Sequence, residues 1–270
     1  MNKTAGPSDQ TRRCAIAIMA KAPSAGRTKT RLSPFLTPDE AQDLGCCFLS
    51  DMTENLALAR RKVPLDAYIA FAPAGSEGAF ASIVHGNTRF ILADGSSPAP
   101  PGVEGFGCCL LQAARSLFGL GYAAVGLLNS DSPTLPTSLL VQAVRLLLQP
   151  DDIAILGPST DGGYYLLGMK SLQPNLFSAI DWSTALVARQ TRLRAGEIGL
   201  PLIDLDPWYD VDDAASLRRL VDDLDGGPSP RDAPFLAPVT AGWVRRNRIR
   251  QRLTARGEAH GSAVRATYLP

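Results

Sequence analysis

The sequence is poor in histidine. It has two, His85 and His260, in 270 residues. Both lie away from the segments that carry most of the polar chemistry, which argues against a histidine-based triad or a zinc site. Cysteine is no better placed. The five cysteines, Cys14, Cys46, Cys47, Cys108 and Cys109, include no CxxC pair and are odd in number. Neither a zinc knuckle nor a disulfide framework is expected, and the residues read as small buried hydrophobes in a reducing compartment. A reactive thiol at Cys108 or Cys109, which follow a turn, is the minor alternative. No apolar run approaches the ~20 residues that a membrane span needs. The run Cys14–Ala20 follows Arg12-Arg13 but is too short for a signal-peptide core and ends at Lys21, so a cytoplasmic protein with no membrane span is expected. Net charge is also nearly absent. Twenty-seven basic residues face 26 acidic ones, for a net +1, which excludes a wholesale polyanion binder and a generally acidic tail protein. There is no P-loop spacing, no GxGxxG and no internal repeat.

What remains is an ordinary globular composition, 45% hydrophobic and 20% charged, in a chain long enough to bury a core without staples. Strand-like runs recur at Cys14–Ala20, Ala67–Ala72, Arg89–Leu92, Tyr122–Leu128, Ile153–Leu156, Tyr164–Met169 and Leu202–Leu205. Helical patterns lie between most of them. Thr37-Pro38-Asp39-Glu40 reads as a capping box with proline at the first helical position, followed by Leu44, Phe48, Met52 and Leu56 on one face. Thr137 is expected to cap a helix through Leu148, and Ser183 one through about Arg194. Alternating strands and helices predict an α/β fold with a mostly parallel twisted sheet flanked by helices. In such a sheet ligands gather at the carboxyl ends of the strands.

Residues 1–12 are polar and are expected to be disordered, and 13–224 form the main domain. Residues 225–240 read as a linker rich in proline and glycine, and 241–270 as a basic extension with seven arginines and one glutamate. Trp243, Ile249 and Leu253 give this extension an apolar edge suited to docking on the core or on a second subunit, so a homodimer is one reading. A nucleic-acid or membrane-surface role is the lesser one.

Five segments carry candidate chemistry. Lys21 to Arg31 follows the first strand and places Lys21, Gly26, Arg27, Lys29, Thr30 and Arg31 in one basic, glycine-containing loop, a pattern suited to phosphate. Asn129-Ser-Asp131-Ser-Pro133 ends a strand on a carboxylate, as a metal–phosphate site does, although Asp-Ser-Pro is also a good turn. Gly157 to Tyr165 holds Asp161, which can accept a proton or orient a hydroxyl, and Gly162-Gly163; a simple Asp-Gly hairpin explains it equally. Asp181-Trp182-Ser183-Thr184 opens a helix, with Trp182 either core or a stacking platform. Asp206 to Asp213 precedes another helix, which Asp212 or Asp213 caps, leaving Asp210 as a possible second metal ligand.

In order, the blocks Met19–Leu32, Asn129–Pro133, Gly157–Tyr165, Trp182–Thr184 and Tyr209–Asp212 resemble DUF2064, a bacterial glycosyltransferase-like family also called radical-SAM/selenodomain-associated transferase 1. The resemblance spans about residues 14–224. It implies a GT-A-type (nucleotide-diphospho-sugar transferase) fold, a nucleotide sugar or other nucleotide, and a divalent metal, Mg²⁺ or Mn²⁺. More distantly, Lys29-Thr-Arg-Leu32 with Thr37–Glu40 is similar to 2-phospho-L-lactate guanylyltransferase. Trp208–Leu217 is similar to the segment where sugar-nucleotide pyrophosphorylases place a metal carboxylate. By that likeness Asp131 and Asp210 are the metal pair, with Asp212 as substitute. A glycosyltransferase so built would use Asp161 as general base and Gly162, Gly163, Tyr164, Trp182, Ser183 and Thr184 around a small-molecule acceptor. The alternative is a nucleotidylyltransferase acting on a nucleoside triphosphate. One segment departs from the family. Where members carry a Gly-Asp-Leu-Gly-x-Arg-like stretch, Glu104-Gly-Phe-Gly-Cys-Cys109 stands instead, without its acid and arginine.

Overall fold

The computed structural model describes residues 10–24, 26, 29–32, 35–226 and 233–255. The expected disorder of residues 1–12 falls mostly outside them, as do Arg27, residues 227–232 of the linker and residues 256–270.

Seven strands form one sheet: β1 (Cys14–Lys21), β2 (Leu65–Ala72), β3 (Arg89–Leu92), β4 (Ala124–Leu128), β5 (Ala154–Pro158), β6 (Tyr164–Met169) and β7 (Leu202–Asp204), in the order β3-β2-β1-β4-β6-β5-β7. All run in one direction except β6, which is antiparallel to both β4 and β5. The α-helices of eight or more residues among the described residues are α1 (Pro38–Arg60), α2 (Phe106–Gly119), α3 (Thr137–Leu147), α4 (Val187–Glu197), α5 (Ala214–Leu224) and α6 (Pro238–Arg246). None is long and apolar enough to cross a membrane.

The central strand β1 shows why this sheet is covered on both faces. Its residues 14–20 are all buried, and alternate side chains enter two different cores. Ile16 and Ile18 join Phe48, Leu56, Leu140 and Leu217 on the face covered by α1, α3, α5 and α6. Ala15 and Ala17 join Leu111, Leu117 and Phe177 on the face covered by α2 and α4. The small alanines of β1 let α2 lie close.

Local expectations hold where the signal is a backbone rule. Thr37 and Glu40 make a reciprocal capping box, at 3.2 and 2.9 Å, with Pro38 at the first helical position. Asp213, one of the two candidate caps, is the N-cap of α5. Two expected caps fail. Thr137 lies inside the first turn of α3, behind Pro136, and its hydroxyl donates to Asn55 Oδ1 at 2.6 Å. Ser183 has φ 65°, a left-handed conformation that an N-cap does not use, and α4 begins only at Val187.

The segment after residue 232 folds onto the core rather than trailing from it. Trp243, Val244, Ile249 and Leu253 are buried in the same cluster as Phe48 and Leu217. The apolar edge therefore docks on this chain's own core. Arg252 spans Glu40 at 2.7 and 3.1 Å and donates to Phe35 O at 2.8 Å. The start of α6 is held by a residue from another helix. Asp51, fully buried in α1, accepts the backbone N–H groups of Val239 (3.0 Å) and Thr240 (2.7 Å). Its carboxyl sits above its ordinary range because burial outweighs these hydrogen bonds.

Removing that carboxylate leaves two helix-start N–H groups unsatisfied in the interior. We expect Asp51→Ala to cost about 1–3 kcal/mol and to expose Arg245 and Arg246 to trypsin under conditions that leave the wild-type chain intact.

Candidate active site

The carboxyl ends of four strands converge on one place. The loop after β1 brings Lys29 and Arg31, the end of β4 brings Asp131, the β5–β6 turn brings Asp161, and the segment between β7 and α5 brings Asp210 and Asp212. Lys29 is the pin. It adopts a left-handed backbone (φ 50°), rare for a residue with a side chain, and only 4% of its side chain is exposed. Its ammonium donates to Asp131 Oδ1 at 2.6 Å and to Val211 O at 2.7 Å, and lies 3.6 Å from Asp212 Oδ1 and 4.9 Å over the Phe48 ring. The backbone closes the same joint, because Val211 N–H donates to Asp131 O at 2.9 Å.

This arrangement reorders the sequence expectations. Lys29 is committed to two carboxylates and one carbonyl, so it neutralises acids and is not a free phosphate grip. Asp131 shares that ammonium with Asp212, the substitute ligand. Asp210 instead feels Asp161 most among the neighbouring charges. Lys21 ends β1, and Lys21 and Gly26 line neither of the two hollows around the acids. Arg27 lies outside the described residues. Thr30 opens a short 3₁₀ turn, Thr30–Leu32, which carries Arg31 to the rim.

The electrostatics follow from crowding like charges. Burial and the carboxylates of Asp161, Asp212 and Asp131 push Asp210 up to about 7. Asp212 is also raised, by burial and by Asp131, with Lys29 and Arg31 opposing. Asp131, Asp161, Asp210 and Asp212 thus crowd around Lys29 and Arg31. Among the described residues no group of three or more His, Cys, Asp or Glu side chains is set to cage a metal ion. The donor set fits a hard divalent cation that takes one or two protein carboxylates and fills its remaining positions with phosphate oxygens and water.

Two hollows, of about 440 and 360 Å³, flank the acid row, and Arg31, Asp161, Asp210 and Asp212 line both. Each is of small-ligand size. The larger has aromatic walls, Phe106, Tyr164 and Trp182, with Ser183, Thr184 and Gly163 beside them. Phe106 meets Trp182 edge to face, 5.7 Å between centroids. Gly107 permits this, since a Cβ there would lie 3.0 Å from Phe177 O and 3.1 Å from Trp182 Nε1. Gly162 is equally constrained. With φ 96° and space for a Cβ only 2.2 Å from Ala185 O, it admits no side chain, and its carbonyl accepts Ala188 N–H at 2.9 Å. The hairpin turn and the wall loop 182–186 are therefore one unit. Asp161 Oδ1 accepts Gly163 N–H at 2.9 Å, which fixes its carboxylate at the junction of the hollows. The Tyr164 hydroxyl is buried with no partner among the described residues, and burial raises its pKa. Burial raises Cys109, which is the opposite of an activated thiolate, and Cys108 Sγ donates to Val103 O at 3.3 Å.

Sequence reasoning did not single out Phe106 or Arg219. Arg219 lines the smaller hollow with its guanidinium 4.0 Å over the Tyr209 ring. Both come from helices whose facing cannot be read until the sheet order is known.

A helix-flanked α/β sheet thus gathers acids and a basic loop at its carboxyl edge, beside two ligand-sized hollows. Residues 55–184 match the family model of DUF2064, described as an uncharacterized protein conserved in bacteria. This is the family that the ordered motifs resemble. A provisionally assigned nucleotide-diphospho-sugar transferase from Desulfovibrio desulfuricans G20 superposes with a TM-score of 0.72 at 28% identity, over 88% of this chain and 97% of that one. CMP:2-keto-3-deoxy-manno-octonic acid synthetase in complex with CTP (TM-score 0.49, 12% identity, 77% of this chain and 96% of that one) is more distant. So is a cytidylyltransferase from Leptospira borgpetersenii (0.47, 13%, 87% and 94%). Likeness at that level bears on neither the site nor the reaction. No curated protein matches the chain.

The raised Asp210 carboxyl predicts a pH-dependent cost. Its ordinary value is 3.8 and its folded value about 7, so the folded state holds a proton that the unfolded chain releases. Stability from this group is complete below 3.8 and is lost as pH rises toward 7. In metal-free buffer Asp210→Asn should therefore melt above the wild type by a few degrees at pH 7–8, by less at pH 5, and with no gain near pH 3.5. A melting difference that does not change with pH would contradict the assignment.

Proposed function

We propose that this protein is a metal-dependent glycosyltransferase that moves a sugar from a nucleotide-diphospho-sugar donor to a small-molecule acceptor. The observation that carries the reading is the row of carboxylates with Arg31 lying between two ligand-sized hollows. The 28% identity to the D. desulfuricans structure over nearly its whole length supports it.

In this reading Asp131 and Asp210, with Asp212 as the substitute for Asp210, would hold Mg²⁺ or Mn²⁺. The ion supplies charge neutralisation for the leaving diphosphate. The protein's own groups do the rest. Lys29 sets the spacing of Asp131 and Asp212 before any ligand arrives. Arg31, exposed and lining both hollows, pairs with a phosphate of the donor. The aromatic hollow of Phe106, Tyr164 and Trp182 takes the acceptor. Asp161, held by Gly163 N–H, receives the acceptor hydroxyl's proton as its oxygen attacks the anomeric carbon and the bond from that carbon to the diphosphate oxygen breaks.

A thermal-shift panel of UDP-, GDP-, ADP-, CDP- and TDP-sugars and nucleoside triphosphates, each with and without Mn²⁺, tests the donor. We expect a Mn²⁺-dependent rise in Tm with one nucleotide-diphospho-sugar, absent in Asp131→Ala. With the donor known, Asp161→Asn should lower kcat by about 10²–10⁴-fold. Near-normal turnover of Asp161→Asn, with a shift only by a triphosphate, would replace this reading with nucleotidylyl transfer, whose phosphate acceptor is already ionised and needs no base.

A further inference from the structure

We propose that the opposite end of the sheet carries a second, separate anion site that takes the phosphate group of a small molecule. The amino-terminal ends of β1 and β2 gather guanidinium groups. Arg13 spans Asp66 at 2.9 and 3.0 Å, and Arg60 reaches the same carboxylate at 3.3 Å. Tyr122 adds a hydroxyl to Asp66 at 3.1 Å, and Arg89 donates to the Tyr68 and Tyr122 hydroxyls at 3.2 Å each. The adjoining Arg61 has no carboxylate partner among the described residues. The nearby Glu54 is 3.5 Å from His85 Nε2 and engages that side chain instead. Two guanidiniums, Arg13 and Arg60, therefore contact the one carboxylate, Arg61 and Arg89 contact none among the described residues, and positive charge is left over.

That charge borders a hollow of about 310 Å³ lined by Thr53, Arg60, Arg61, His85, Asn87 and Thr88. One of its walls carries an unpaid polar group. Thr88 Oγ1 is buried with no hydrogen-bond partner among the described residues, a condition that native structures avoid unless a ligand or water completes it. The position of Arg60 and Arg61 at the end of α1 is by itself explained by the helix dipole. The orphaned hydroxyl and the cavity are not. Together they describe a concave pocket where Arg61, beside an Arg60 shared with Asp66, is suited to contact a tetrahedral anion, with an unpartnered threonine hydroxyl in the wall. The volume is at the low end of ligand pockets, which favours inorganic phosphate or a phosphomonoester of modest size over an extended dinucleotide.

Hydrogen exchange on the full chain, read at residues 85–88 during titration with inorganic phosphate and with AMP, tests this site without interference from the acid row. Both probes should slow exchange at 85–88 in the wild type and equally in Arg31→Gln, whose change lies at the far end of the sheet. Binding should weaken about tenfold or more in Arg61→Gln and severalfold in Thr88→Val. Thr88→Val should also melt higher than wild type without ligand, because valine fills the same space with no hydroxyl to leave unpaired. Tighter binding of AMP than of phosphate marks a phosphomonoester site, and equal binding marks free phosphate. No protection at 85–88 by either probe at millimolar concentration, or protection undiminished in Arg61→Gln, would overturn the proposal.

Discussion

The ammonium of Lys29 is the contact on which the active end of this molecule depends. It joins three segments that are distant in sequence: the loop after β1, the end of β4 at Asp131, and the strand-to-helix passage at Val211 and Asp212. Without a cation there, Asp131 and Asp212 would confront each other in a half-buried setting, and Val211 O would lose its donor. A buried pair of this kind contributes little net stability but is costly to break, since either partner alone is a stranded charge. Its consequence is positional. It holds the acids a fixed distance apart, and the left-handed backbone at Lys29 is the local strain that this placement requires.

The rest of the site is organised by what that ammonium does not neutralise. Lys29 lies among Asp131 and Asp212, while Asp210 and Asp161 lie further along the row. The negative charge that remains sits between two hollows, one walled by aromatic rings and the other carrying Arg219 and the polar start of α5. Glycines fix the geometry at two closely packed points. At Gly162 the hairpin turn presses on Ala185, and at Gly107 helix α2 presses on Trp182. Both bring a wall of the larger hollow within reach of Asp161.

Much of the fold was legible in the sequence because its signals are local. Each strand-like run became a strand, with ends that moved by at most two residues, and the Thr37–Glu40 box capped α1 through local bonds between side chain and backbone. The site was legible as a set of segments, because carboxyl ends of strands collect ligands in any sheet of this kind. Their roles were not. Nothing in Lys29-Thr-Arg31 says that the lysine turns inward and the arginine outward, and residue spacing cannot separate Asp210 from Asp212 when a shift of one position exchanges their directions. Ser183 failed as a cap because the Gly162–Ala188 contact, a tertiary feature, sets where α4 begins. The basic extension showed its apolar edge of Trp243, Ile249 and Leu253 in the sequence, but not that this edge docks on the chain's own core rather than on a second subunit. What places it is Asp51, a buried acid in the middle of α1 that composition would assign to the surface.

The altered stretch Gly105–Cys109 shows how a departure from a family pattern can be absorbed. It has lost the acid and the arginine expected there, yet it still reaches the site, because Gly105 turns the chain at φ 55° and Phe106 is delivered to the wall of the larger hollow. On that side of the hollow, shape and apolar contact take over from charge. Arg31 is then the guanidinium that lines both hollows, and Arg219 lines the smaller one alone. The guanidinium common to both hollows therefore comes from the β1 loop, the segment that Lys29 ties to the ends of β4 and the β7–α5 passage.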